Sequence, residues 1–150
     1  MEVTVLTWII SVVGLLIMGF LSAVQLVAVI NPRGQWTIKN VYGGAPDNTD
    51  PNAYFAFNQG YAWADTFFWG PIQILGSIGM LLGQRWGFLL GLIASVPFWY
   101  TAIPIFIWDR DMGYRQNTFV YWVFVWGMFP VFGVVEMVYC FVRLYGWSPE

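Results

Sequence analysis

Residues 62–108 read AWADTFFWGPIQILGSIGMLLGQRWGFLLGLIASVPFWYTAIPIFIW. The charged side chains in this stretch are Asp65 and Arg85 alone. A bilayer core about 30 Å thick takes roughly 20 helical residues to cross. The stretch holds two such runs, Ala62–Gln84 and Trp86–Trp108, with Gln84-Arg85 as the plainly polar break between them. Two apolar helices joined by so short a turn must lie antiparallel. Working outward, a run from about Leu6 to Ile30 precedes them and a run from about Thr118 to Leu144 follows. The expected fold is all-α: a polytopic membrane protein, a four-transmembrane-helix bundle forming one domain over residues 1–150. The uncharged run from Val3 to Pro32 far exceeds a signal-peptide core of about 7–15 residues and lacks a basic leader, so it reads as a retained first helix.

Composition agrees. Of the 150 residues 59% are hydrophobic and 9% charged, against about 25% charged in soluble domains. A soluble core of this length could not enclose so much apolar surface, so the surplus should face lipid. The ten tryptophans suit bilayer interfaces, where a ring is apolar on one side and wet on the other. A net charge of −2 with no basic run argues against a nucleic-acid partner. The chain has no histidine and a single cysteine, Cys140. That excludes His-ligated haem, most zinc sites, an internal disulfide and a CxxC redox pair. No metal and no cofactor is expected.

The connections differ. Asn31–Gly60 is polar and rich in turn formers, among them Gly43-Gly44, Pro46, Asp47, Asp50 and Pro51. It reads as a long exposed loop between helices one and two, with room for a hairpin at Gly43-Gly44. It either caps the bundle through Trp36, Tyr42, Tyr54 and Phe55 or is a solvated excursion. Four crossings place both termini, Arg85 and Arg143 on one side, and Arg33, Lys39, Arg110 and Arg115 on the other. Basic residues alone would put the loops in the cytoplasm; Arg85 and Arg143 beside their spans favour cytoplasmic termini instead, and orientation stays open. Pro71, Pro97, Pro104 and Pro130 should bend their helices and open gaps in the bundle.

An ionised acid at the centre of a membrane helix costs about 2.5–3.5 kcal/mol on insertion scales, so such residues usually have a partner or a task. Three stand out: Asp65, Asp109 and Glu136. Asp65 near the start of helix two, Asp109 at the end of helix three and Gln25 near the end of helix one fall at a similar depth. Trp69 and Gln73 follow Asp65 at i+4 and i+8 and should extend a pocket towards the midplane. The competing reading makes Asp65 and Asp109 interfacial residues paired with Arg110 or Arg115. Glu136 lies two turns before Arg143 on one face, where Arg143 could neutralise it, with Gln73 and Ser77 within approach. Gly76, Gly79, Gly83 and Gly87 would let helices pack closely.

Trp69-Gly70-Pro71 following an acid, Ser95-Val96 with Tyr100, Asp109-Arg110-Asp111-Met112-Gly113 and the aromatic run Phe119–Phe124 with Trp126 and Pro130 together resemble the EXPERA family. That family includes emopamil-binding protein (the sterol Δ8–Δ7 isomerase) and the sigma-2 receptor. The resemblance covers roughly residues 20–135. It implies a four-helix bundle with a cavity open sideways to the membrane, binding sterol-like molecules and cationic amphiphiles. It matches Asp109 to the helix-three acid and Trp126 to the helix-four Trp. Asp65 has the spacing to Pro71 of the sigma-2 receptor's acid, whereas the isomerases' Glu position is Ala62. Their helix-four Asn falls at Val123, their helix-two His has no counterpart, and Gln25 stands near a helix-one acid. These departures weigh against catalysis more than against binding.

Moving a ring double bond requires one proton delivered and another removed, through a carbocation. Asp65 and Asp109 would be the acid–base pair, since a carboxyl in an apolar pocket can stay protonated and donate. Trp126 or Trp69 would stabilise the cation with its indole face. Gln25, Trp69, Gln73, Tyr100 and Trp126 would line the ligand. The alternatives are a non-catalytic binder or trafficking factor that holds an alkyl-ammonium ligand at Asp65, and a structural subunit or small transporter. The expected partners are a sterol-like or cationic amphiphilic molecule, membrane lipid, and a second copy of the chain in a homodimer. The membrane would be the endoplasmic reticulum in a eukaryote and the cytoplasmic membrane in a bacterium.

Overall fold

The computed structural model describes residues 1–42, 50–111 and 127–146, and every regular element among them is helical. Helix α1 spans Val5–Ile30, opened by a capping box in which Thr4 and Thr7 satisfy each other's backbone N–H groups. A short α2 spans Gln35–Asn40. Helix α3, Pro51–Ala64, runs through a π-helical turn, Asp65–Trp69, into α4, Gly70–Leu81. Helix α5 spans Arg85–Tyr100 and α6 Ala102–Asp111. Helix α7, Phe129–Tyr145, ends at Gly146 in the left-handed conformation.

Helix α4 packs against both α1 and α5, and α5 packs against α7. Small residues set the closest approach. A Cβ on Gly79 would come within 2.6 Å of the Gly87 Cα, and one on Gly76 within 2.9 Å of the Gly91 N, so α4 and α5 touch backbone to backbone. The turn between them is a Schellman motif: Gln84 N donates to Gly79 O at 2.9 Å and Gly83 N to Met80 O at 3.0 Å, with Gly83 at φ 66°. The expected tight turn and glycine packing are therefore both present. The Met1 ammonium donates to the Gly83 carbonyl and Arg143 to the Glu2 carbonyl. The start of α1, the α4–α5 turn and the end of α7 thus meet at one end.

Val5–Ile30 and Arg85–Ile107 are long and apolar enough to cross a membrane. The core lies where α1, α4, α5 and α7 meet, around Met18, Trp69, Met80, Phe88, Phe98 and Phe132. Outward faces of the same helices carry exposed Leu16 and Phe20, Leu75 and Ile78, Leu89 and Ile93, and Val134 and Phe141.

One expectation needs correction. The second long helix does not begin at Ala62 but at Pro51, where Asp50 accepts from Asn52 N and proline occupies the first turn. Much of the supposed loop is helical, and it carries a second small core of Ala28, Tyr42, Tyr54 and Ala62. There the Tyr54 hydroxyl donates to Tyr42 O at 2.6 Å, and burial pushes the Tyr42 hydroxyl above its ordinary value. The third expected helix is present: α5 and α6 follow on through Thr101, which keeps helical backbone geometry and whose hydroxyl donates to Pro97 O at 2.5 Å. The Gly43-Gly44 hairpin and the expected start of helix four at Thr118 lie outside the described residues.

Candidate functional site

The π turn has a chemical cause. Pro71 offers no N–H to a carbonyl four residues back, and its ring crowds that carbonyl. The helix widens just before it, so that Gly70 N donates to Asp65 O. The turn directs both Asp65 and Trp69 inward, 7% and 8% exposed. Single π turns of this kind recur at functional sites.

Asp65 Oδ2 accepts from Gln25 Nε2 at 3.0 Å, joining the π turn to α1. No cationic side chain pairs with Asp65 among the described residues. Arg33 lies 5.4 Å above the Phe55 ring and Arg143 lies over Phe88 at 5.3 Å. Ser22, one turn before Gln25, lies beside Gly70 and has a buried hydroxyl without a partner among the described residues. So an acid, an amide and a hydroxyl from two elements share one level beneath the small core formed by α2 and α3.

The other expected site residues divide. Trp69 belongs to this level, but its Nε1 donates to Ala94 O at 2.8 Å and its ring meets Phe98 edge-on at 4.6 Å. It is a packing residue that ties α4 to α5. Gln73 does not extend the Asp65 site. Eight residues further on, it is roughly 12 Å along the axis, and its Nε2 donates to Glu136 Oε1 at 2.7 Å and to Ser77 Oγ at 3.3 Å. Glu136 is likewise not paired with Arg143. It is fully buried against α4, while Arg143 lies over Phe88 and Tyr139 and reaches the Glu2 carbonyl. Tyr100 is 59% exposed and faces outward rather than lining a closed site. The side chain of Asp109 and all of Trp126 lie outside the described residues.

Sequence reasoning passed over Ser11 and Ser22. Their signal is a stripe on α1 in which Thr7, Ser11, Gly14, Met18, Ser22 and Gln25 recur every three or four residues, the spacing of one helix face. Comparison of the chain with protein-family models, with curated proteins and with solved structures finds no match.

Proposed function

We propose that the chain is an EXPERA-like membrane protein of four spans that binds a sterol-like or cationic amphiphilic ligand, with Asp65 as its polar anchor. One observation carries this reading: a buried carboxyl, held by a single amide and without a cationic partner among the described residues, at one end of an apolar bundle. A buried charge calls for a counter-charge, and an alkyl-ammonium group supplies one. An uncharged ligand with a hydroxyl would use Gln25 and Asp65 as acceptors.

The four-span reading rests on the apolar outward faces shared by α1, α4, α5 and α7. Helix α4 is too short alone, but with the π turn and the end of α3 it exceeds the roughly 20 residues a crossing needs. The membrane is proposed to be the endoplasmic reticulum in a eukaryote and the cytoplasmic membrane in a bacterium.

Binding without reaction is favoured over double-bond isomerisation by Trp69. Its N–H is committed to a carbonyl and its ring already packs against Phe98, which ties the indole to α5 rather than leaving it free for a carbocation. Catalysis would then need Asp109 and Trp126 to complete the site.

The test is thermal unfolding of the detergent-purified protein against a panel of sterols and cationic amphiphiles, wild type beside Asp65→Asn. A ligand at 100 times its Kd stabilises by about 2.7 kcal/mol. Stabilisation of wild type but not of Asp65→Asn supports the site, and turnover of Δ8 sterols then separates isomerase from binder. If no ligand shifts either protein, a structural or transport role replaces this reading.

A further inference from the structure

A second acid–amide pair lies deeper in the bundle. Gln73 Nε2 donates to Glu136 Oε1 at 2.7 Å, and both residues are 0% exposed. The atoms left over on the same two groups, Gln73 Oε1 and Glu136 Oε2, have no partner among the described residues. An amide oxygen and an ionised carboxylate oxygen can only accept. A carboxylic acid facing a carboxamide, however, forms two antiparallel hydrogen bonds in one ring: amide N–H to one carboxyl oxygen, and acid O–H to the amide oxygen. The structure contains the first bond, and the two orphaned atoms are those the second would join.

We propose that Glu136 and Gln73 form a proton-binding site, with one proton on Glu136 Oε2 donated to Gln73 Oε1. The surroundings fit a neutral occupant. On α1, Thr7 hydrogen-bonds to Tyr139, and a Cβ at Gly14 would meet Phe132 and Gln73. The two helices run antiparallel, so Ser11, midway between Thr7 and Gly14, stands level with Glu136. Its hydroxyl has no partner among the described residues. From α4 the acid is faced by Gln73 and Ser77, neither titratable. On α5 the titratable groups are Arg85 and Tyr100, at its two ends. On α7 itself the titratable neighbours are Tyr139 and Cys140, with Cys140 Sγ 3.6 Å from Met80 Sδ, and the cation is Arg143, two turns on and turned away to the Glu2 carbonyl. A buried carboxylate among these groups would lack a counter-charge; a proton supplies it in place. The pair is separate from Asp65, since Gln73 stands roughly 12 Å further along the helix axis.

The chain has three glutamates, Glu2, Glu136 and Glu150, so labelling glutamate side-chain carboxyls with carbon-13 gives a direct readout on the intact protein. The expected result at neutral pH, well above the ordinary Glu value of about 4.3, is one carboxylic-acid signal that is absent from Glu136→Gln. A wild-type protein whose labelled carboxyls are all ionised at neutral pH overturns the proposal. Glu136→Gln provides the second arm, because an amide closes the same ring without a titrating proton. Above the ordinary Glu value of about 4.3 the folded protein keeps a proton that the unfolded chain loses, so wild-type stability should fall relative to Glu136→Gln as pH rises, by about tenfold in the folding constant per pH unit until the folded site itself deprotonates. A difference that stays flat with pH but grows in sodium chloride over choline chloride overturns the proposal in favour of a sodium ion.

Discussion

At the scale of single residues, Trp69 and Asp65 share one turn and do different things. Trp69 spends its only donor on Ala94 O, so its contribution is to stability. Trp69→Phe should cost about 1 kcal/mol in thermal unfolding and leave amphiphile affinity within a factor of about two. A tenfold or greater loss of affinity in a normally stable variant would instead make the indole part of the ligand site. The pairing of Asp65 with Gln25 was legible in the sequence, because both are polar interruptions at one depth of apolar runs. The pairing of Glu136 with Gln73 was legible only in part. The seven-residue spacing to Arg143 pointed along α7, whereas burial turned the carboxyl across the bundle towards α4. Nothing in a single helix's periodicity states which neighbour its inward face will meet.

At the scale of elements, the contact between α4 and α5 is decided by atoms that are missing. A Cβ on Gly87 would fall inside the backbone of Gly79 and Met80, while one on Gly19 would meet nothing within 4 Å. Gly87→Ala should therefore destabilise by about 1–3 kcal/mol through overpacking. Gly19→Ala, in the middle of α1, should be neutral or stabilise by up to about 1 kcal/mol. Unfolding of both variants in the same detergent checks the contrast, and equal effects would refute backbone contact as the basis of packing. The long apolar elements were readable because hydropathy and length suffice for them. The start of α3 was not, because Tyr54–Ala62 mixes aromatic, amide and small residues without a clean apolar face. The Asp50-Pro51 pair was the available signal, a side-chain cap followed by a proline suited to a first helical turn.

At the scale of the whole molecule, the two ends of the bundle have different characters. One end gathers Met1, Glu2, the Gly83 turn and Arg143. The other carries α2, the start of α3 and the aromatic cluster of Tyr42, Tyr54 and Phe55. If α1 crosses the bilayer, exposed positions at these ends face opposite compartments. In sealed vesicles an impermeant thiol reagent should label Glu2→Cys and Gln84→Cys from one side and Lys39→Cys from the other. Labelling of Glu2→Cys and Lys39→Cys from the same side would remove the first crossing, and of Lys39→Cys and Gln84→Cys the second; either outcome removes the four-span reading. The same experiment fixes the orientation, which six basic residues spread over both ends do not.

The three-residue turn at Leu82–Gln84 also bears on how the protein is made. If α4 and α5 both span the bilayer, as proposed above, a turn this short with the backbones in contact would have them enter it as one hairpin. Every partner in that hairpin is local in sequence, the arrangement that forms fastest. Helix α1 is already present by then, so the Gln73 amide is in position before α7 has been synthesised. On the four-span reading, Glu136 follows Gln73 in the chain and would dock against an amide already made, which gives a buried carboxyl its partner as α7 packs.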